Sequence, residues 1–232
     1  MFPGFPRETM TFLRGLTRNN KREWFQPRKE IYESHVKAPM LALVEALNAE
    51  FARFAPDYIT DAKKAVYRIY RDTRFSNDKT PYKTHVAAIF VPRGLDKHAS
   101  TGLYCGVSVK GVEIAGGVYM PAPEQILAIR TWIAGNHERF RKAARGPERL
   151  MGKLQGTALR RIPKGFDAEH PASDLIKMKQ WLYGTELPAA LATSPKLFAE
   201  LVKRFRVMIP VLNMLREPLA PSKRRDDDRF FD

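Results

Sequence analysis

The apolar residues of this chain keep two different rhythms, and that change restricts the fold more than any other feature of the sequence. Leu103, Cys105, Val107 and Val109 alternate with Tyr104, Gly106 and Ser108, which is the period-two pattern of a strand with one buried face. Before this region Met40, Val44, Leu47, Phe51 and Phe54 recur at steps of three and four. After it Phe198, Leu201, Phe205, Met208, Leu212 and Leu215 do the same. Those are the stripes of amphipathic helices. Residues 64–71, 85–91, 102–109 and 112–120 read as strands, and strands that succeed one another without crossover helices pair antiparallel. The expectation is an α+β fold, an antiparallel sheet of four or five strands flanked by N- and C-terminal helices. One domain covers residues 1–220, followed by a flexible charged tail at 221–232.

Local punctuation sets the element ends. Pro6 suits a helix start that turns Phe12, Leu13 and Leu16 inward. Asn19-Asn20 breaks that helix, and Asn20 stands at capping-box spacing from Glu23. Pro27 restarts the second helix. Lys110-Gly111 reads as a two-residue hairpin turn with the glycine supplying positive φ. Pro123 opens a helix containing Ile126, Ile129 and Ile133, and Gly135 closes it. Ser194-Pro195 opens the last helix, which Pro210 is expected to kink. Residues 160–171 carry no periodic signal.

The chain has 232 residues, 44% of them hydrophobic, enough for a sizeable core without disulfide staples. Its single cysteine, Cys105, excludes an internal disulfide and fits a reducing compartment. The first residues lack an apolar stretch of signal-peptide length. The longest apolar run, Val86 to Val91, is far too short to insert in a membrane. The expected location is cytoplasmic. Forty Lys plus Arg against 25 Asp plus Glu give a net charge of +15. Such an excess attracts polyanions, nucleic acid among them, although it also serves plain solubility.

The connection from Arg71 to His85 is where this charge meets an unusual length, because hairpin connections normally take about 2–5 residues. Arg68, Arg71, Arg74, Lys79 and Lys83 supply positive charge there, and Ser76 and Tyr82 supply neutral hydrogen-bonding groups. Guanidinium forks match pairs of phosphate or carboxylate oxygens. Arg71, Arg74, Lys79 and Lys83 would grip an anion, Tyr82 would stack or hydrogen-bond, and Arg22 and Lys164 would close the rim. The alternative is structural: Asp72 and Asp78 pair with the arginines and tie the loop down. Trp24 and Phe25 read as core residues beside Arg22. Gly116-Gly117 marks either a bulge or a place where something packs on bare backbone. His170 reads as the cap of the next helix or as an acid–base group.

Three classes of function are open. One is a binding domain for an anionic or phosphate-bearing ligand, a nucleotide or nucleic acid. The second is an enzyme on a phosphorylated substrate, using Asp72 or His85 as acid–base group. The third is a protein-interaction module whose loop is purely structural. No Walker loop, dinucleotide fingerprint or GxSxG elbow is present. The histidines His35, His85, His98, His137 and His170 are scattered, so no metal site and no cofactor are expected. The sequence specifies no oligomeric state.

Four segments together resemble a conserved bacterial and fungal family of uncharacterised proteins, a domain of unknown function. They are NNKREWF at 19–25, RIYRDTRFSNDKTPYKT at 68–84, GGVYMP at 116–121 and RIPKGF at 161–166. Their order spans the chain from about Phe12 to Leu215, and the second segment is the most specific. The resemblance implies that the 68–84 segment is a hallmark of the family rather than a local accident. It implies no activity, substrate or cofactor. Ala115 stands where the pattern has a glycine.

Overall fold

The computed structural model describes residues 2–93 and 100–219; His98 and the tail at 221–232 lie outside the described residues. Helix α1 (Arg7–Arg18) buries Phe12, Leu13 and Leu16, as its stripe requires. A nearly continuous helical rod comes next. It comprises α2 (Arg22–Phe25), a 3₁₀ turn at Gln26–Arg28, α3 (Lys29–Tyr32), a π-helical turn at Glu33–Lys37 and α4 (Ala38–Phe54). Pro27 and Pro39 fall at joints of this rod, where one helical hydrogen-bonding pattern gives way to the next. A single turn, α5 (Ala62–Ala65), precedes the sheet strands β1 (His85–Phe90), β2 (Thr101–Ser108) and β3 (Gly111–Val118). Then come α6 (Pro123–Met151), α7 (Ser173–Ile176), β4 (Trp181–Pro188) and α8 (Lys196–Arg216).

The four strands form one antiparallel sheet in the order β1-β2-β3-β4. One face is the core. Phe90 meets Phe51 of α4 at 5.0 Å between ring centroids, and Phe51 meets Phe205 of α8 at 5.8 Å. Side chains of this size contribute about 1.5–3 kcal/mol each when fully buried. Arg130 of α6 is buried too, donating from Nε (3.2 Å) and a terminal nitrogen (2.9 Å) to the Met178 carbonyl ahead of β4. On the opposite face Ile89, Tyr104, Ala115 and Gly184 stand side by side across all four strands. All four are only half-buried. Among the described residues no helix is long and apolar enough to cross a membrane.

Several local expectations need correction. Residues 64–71 do not form a strand. Asp61 caps the Lys64 amide at 3.0 Å and starts the α5 turn, which overrides the alternation. The chain beyond that turn is extended but bridges its neighbours only at Val66–Ala88 and Tyr70–Tyr82. Between those bridges the first arm advances four residues and the second six, so the ladder cannot run through. The fourth strand is instead β4, in a stretch where the sequence shows no periodic element. Gly111 is not a turn residue and has no positive φ. The turn is Val109-Lys110, closed by Ser108 Oγ accepting from the amides of Lys110 and Gly111. Gly111 is bare because the Leu187 carbonyl oxygen lies 2.6 Å from where its Cβ would be. Gly135 does not end its helix: α6 departs from helical geometry at Asn136 and continues to Met151. Gly116-Gly117 is a close approach without a bulge, since its pairing with β4 runs unbroken. Met208 Sδ lies 2.8 Å from the Cβ position of Gly116.

Candidate functional site

The 71–85 connection is shaped from outside by Asn20. This residue caps no helix. Its Nδ2 donates to the Tyr82 carbonyl (2.9 Å) and its Oδ1 accepts from the Tyr82 amide (3.1 Å), so a side-chain amide completes the strand-like pairing of Tyr82. Phe25 then stacks on the Tyr82 ring at 4.2 Å. The NNKREWF segment therefore supports the loop segment directly. Trp24 packs on Phe12 at 5.5 Å and carries the Arg28 guanidinium 4.7 Å from its ring centroid. Tyr82 is 1% exposed, so the expectation that it would stack on a ligand is corrected: burial under Phe25 removes it from any guest.

Inside the loop the carboxylates take up two of the arginines. Arg74 donates from Nε (3.0 Å) and a terminal nitrogen (2.8 Å) to the two oxygens of Asp72, a bidentate fork. Arg71 bonds both Asp78 and the Thr80 hydroxyl. Lys79 donates to the Thr73 carbonyl at 2.9 Å, and the Ser76 amide turns back onto the same carbonyl at 3.4 Å. The hydrogen bonds from Arg74 hold the Asp72 carboxyl down at about 2, and those from Arg71 and Thr80 do the same for Asp78. A carboxylate so acidic and so occupied is a poor general base near neutral pH. No hydrogen bond or ion pair joins Asp72 to His85 among the described residues.

The remaining cations stand differently. Lys83 holds its ammonium 4.8 Å over the Tyr67 ring. Burial lowers its proton affinity, and the charge of Arg68 lowers it further. His85 is depressed in the same way, first by burial and then by Lys83. Among the described residues neither Arg68 nor Lys83 forms an ion pair, although the charge of Arg68 is felt by the Asp72 carboxylate. Arg68 lines a cleft of about 470 Å³ together with Tyr32, Glu33, Lys37, Lys63 and Tyr70. Glu33 is already paired with Lys37 at 2.7 Å, so Lys63 and Arg68 are the uncommitted charges of that cleft. Lys63 was missed in the sequence, where only its place just ahead of the extended segment could have marked it. Arg22 is exposed on α2, on the Tyr82 side. Among the described residues no hydrogen bond or ion pair joins Lys164 to the loop. Its segment leaves from bridges at Gln155–Leu182 and Ala158–Met178, beyond β4, whereas the loop adjoins β1 at the other edge of the sheet. His170 is a fixed structural histidine: Nδ1 accepts from the Ala172 amide (3.0 Å), which leaves Nε2 to donate to the Ala134 carbonyl (3.2 Å).

The model of a conserved hypothetical protein family (DUF2461) matches residues 8–214. The chain belongs to that family. No curated protein matches it. The DUF2461 match runs from the second residue of α1 to near the end of α8, so it takes in the whole sheet, the loop and the cleft beside it.

Proposed function

We propose that this DUF2461 protein binds an anionic, phosphate-bearing ligand at the corner where Arg68, Lys63 and Lys83 surround the extended segment 66–71. The reading is carried by one observation: Lys63 and Arg68 line one cleft with no ion pair of their own among the described residues, and the Lys83 ammonium lies 4.8 Å over the ring of Tyr67, which lines the same cleft. Neighbouring like charges are unfavourable until a counter-charge arrives, and a bound anion supplies it. Arg71, Arg74, Asp72 and Asp78 act as latches that hold the loop, and Ser76 and Lys79 close its tip. Nucleotides and single-stranded nucleic acid are the ligands that fit a cationic corner with aromatic neighbours.

The test is a titration with inorganic phosphate and with a short single-stranded oligoribonucleotide at several salt concentrations. Arg68→Ala and Lys83→Ala should each weaken binding about tenfold, the value of one charge-assisted hydrogen bond. Each should also flatten the log–log salt slope of the oligonucleotide by about 0.7. Arg74→Ala, which breaks only an internal latch, should change phosphate affinity little. Affinity indifferent to salt, or untouched in both Arg68→Ala and Lys83→Ala, would overturn the reading.

A further inference from the structure

A second hollow, of about 370 Å³, lies on the open face of the sheet, and Tyr67 lines both it and the cationic cleft. We propose that this hollow receives the planar ring of a nucleoside monophosphate whose phosphate sits at the Arg68–Lys83 corner; the phosphate half rests on the anion-binding reading above. The hollow has a bare floor. Gly102, Ala115 and Gly184 lie beneath it, on three different strands. The fold does not force those glycines. An added Cβ at Gly102 would meet nothing nearer than 3.5 Å; at Gly184 it would lie 3.3 Å from Oε1 of Gln155, whose Nε2 donates to the Gly184 carbonyl at 3.1 Å, so a shift of a few tenths of an ångström in that side chain would admit it. Neither has a positive φ. A flat floor left open without a packing reason suits a flat guest.

The walls are aromatic. Tyr67 and Tyr104 stand with ring centroids 6.5 Å apart and tilted by 52°, and Tyr119, more than half exposed, stands at the rim. Tyr104 lies along the sheet, its hydroxyl 2.6 Å from where a Cβ of Gly106 would be, so that glycine makes room for the wall itself. The polar groups are arranged by sign. Lys83 caps the Tyr67 end. Toward β3 and β4, Glu113 lies beside the Tyr104 hydroxyl, where after burial it is the next cause raising that phenol, and it faces Glu186 directly across the strand pair. An anion is favoured at the first end and hydrogen-bond donors such as ring N–H or amino groups at the second. A heterocyclic base joined to a phosphate has that polarity; a sugar phosphate has only the anionic half.

Ser100 supplies an independent sign of a missing partner. It is 6% exposed, its hydroxyl has no hydrogen-bond partner among the described residues, and it lines this hollow. Its neighbour Thr101 turns to the core side and meets the Tyr58 hydroxyl at 3.0 Å, so strand alternation sets Ser100 on the open face. A buried hydroxyl without a partner is unfavourable until a guest provides one.

Calorimetric titration of the full chain with adenosine 5′-monophosphate, guanosine 5′-monophosphate, ribose 5-phosphate and adenosine tests this. At least one nucleotide should bind ten or more times tighter than ribose 5-phosphate. Gly184→Val, and independently the milder Gly102→Ala, should remove that excess and leave ribose 5-phosphate binding as it was. A melting temperature within a few degrees of the native protein's would certify the fold of either variant. Equal affinity for both nucleotides and ribose 5-phosphate, or an excess that survives both variants, would overturn the ring slot and leave the anion site standing. Adenosine binding as tightly as its monophosphate, with Lys83→Ala without effect, would overturn the phosphate half and the anion reading together. Absence of binding by every probe would overturn both.

Discussion

Asn20 offers its amide to a peptide group as another strand would, donor to carbonyl and carbonyl to donor. Asn20→Ala would strand both backbone polar groups of the buried Tyr82 and should lower unfolding free energy by about 1–3 kcal/mol. Urea denaturation would measure it, and an unchanged midpoint would refute the role. The latches of the loop make a prediction about acid. Asp72 and Asp78 are held at about 2 by their arginine and backbone donors, below the ordinary aspartate value of about 3.9. Because the folded values are depressed, the latches are at full strength above about pH 4 and are lost as pH falls through about 2. Carboxyl carbon shifts tracked by NMR should show both groups titrating in that lower range; midpoints near 4 would contradict the pairing. At this scale the sequence displayed the charged groups but not their partners. The signal for self-pairing was present, an aspartate two residues before Arg74 and another ahead of Thr80, yet the same letters also describe an anion clamp. Only geometry separates Arg71 and Arg74, which are held in ion pairs, from Arg68 and Lys83, which form none among the described residues.

Among the elements, the β3–β4 pair is the least tolerant of change. Gly117 has φ +145° and the Trp181 carbonyl oxygen lies 2.0 Å from its Cβ position. Gly117→Ala therefore cannot be absorbed by a side-chain rotation. It should cost more than the roughly 1–2 kcal/mol of a left-handed alanine alone, enough to depress soluble yield and melting temperature sharply. Gly152→Ala is the control, with φ +87° but open space around it, and should cost only that backbone strain. Comparable melting temperatures for the two variants would show that the close approach does not matter. Helices α1, α4 and α8, the first half of α6 and three of the strands were legible because a full stripe or a full alternation is repeated several times; the second half of α6, beyond Gly135, was not. Strand β4 was not, since only Trp181 and Tyr183 of its residues are buried and the rest is half-open or exposed. Residues 64–71 misled in the opposite sense: their alternation is real, but the Asp61 cap and the two additional residues of the partner arm prevent a ladder.

Over the whole molecule each end of the described chain is tied to a distant segment. The Phe5 amide donates to the Ala192 carbonyl at 2.8 Å, and Arg216 pairs with Asp57 at 2.7 Å. N-terminal helices, sheet and α8 thus share one core. Equilibrium unfolding monitored by tryptophan fluorescence and by far-ultraviolet circular dichroism should give coincident curves; separated transitions would mean that the helices and the sheet unfold independently. The fold class was readable at this scale, but the two hollows were not. Each is assembled from segments far apart in the sequence, Tyr32 with Arg68 in one and Tyr67 with Gln155 in the other, and no local pattern announces such a meeting. The reach of Asn20 to a peptide group 62 positions further on has a practical corollary for engineering. Residues 68–84 are not a portable cassette: grafted alone onto another scaffold they would carry every letter of the motif and lose the distant clasp that gives those letters their form.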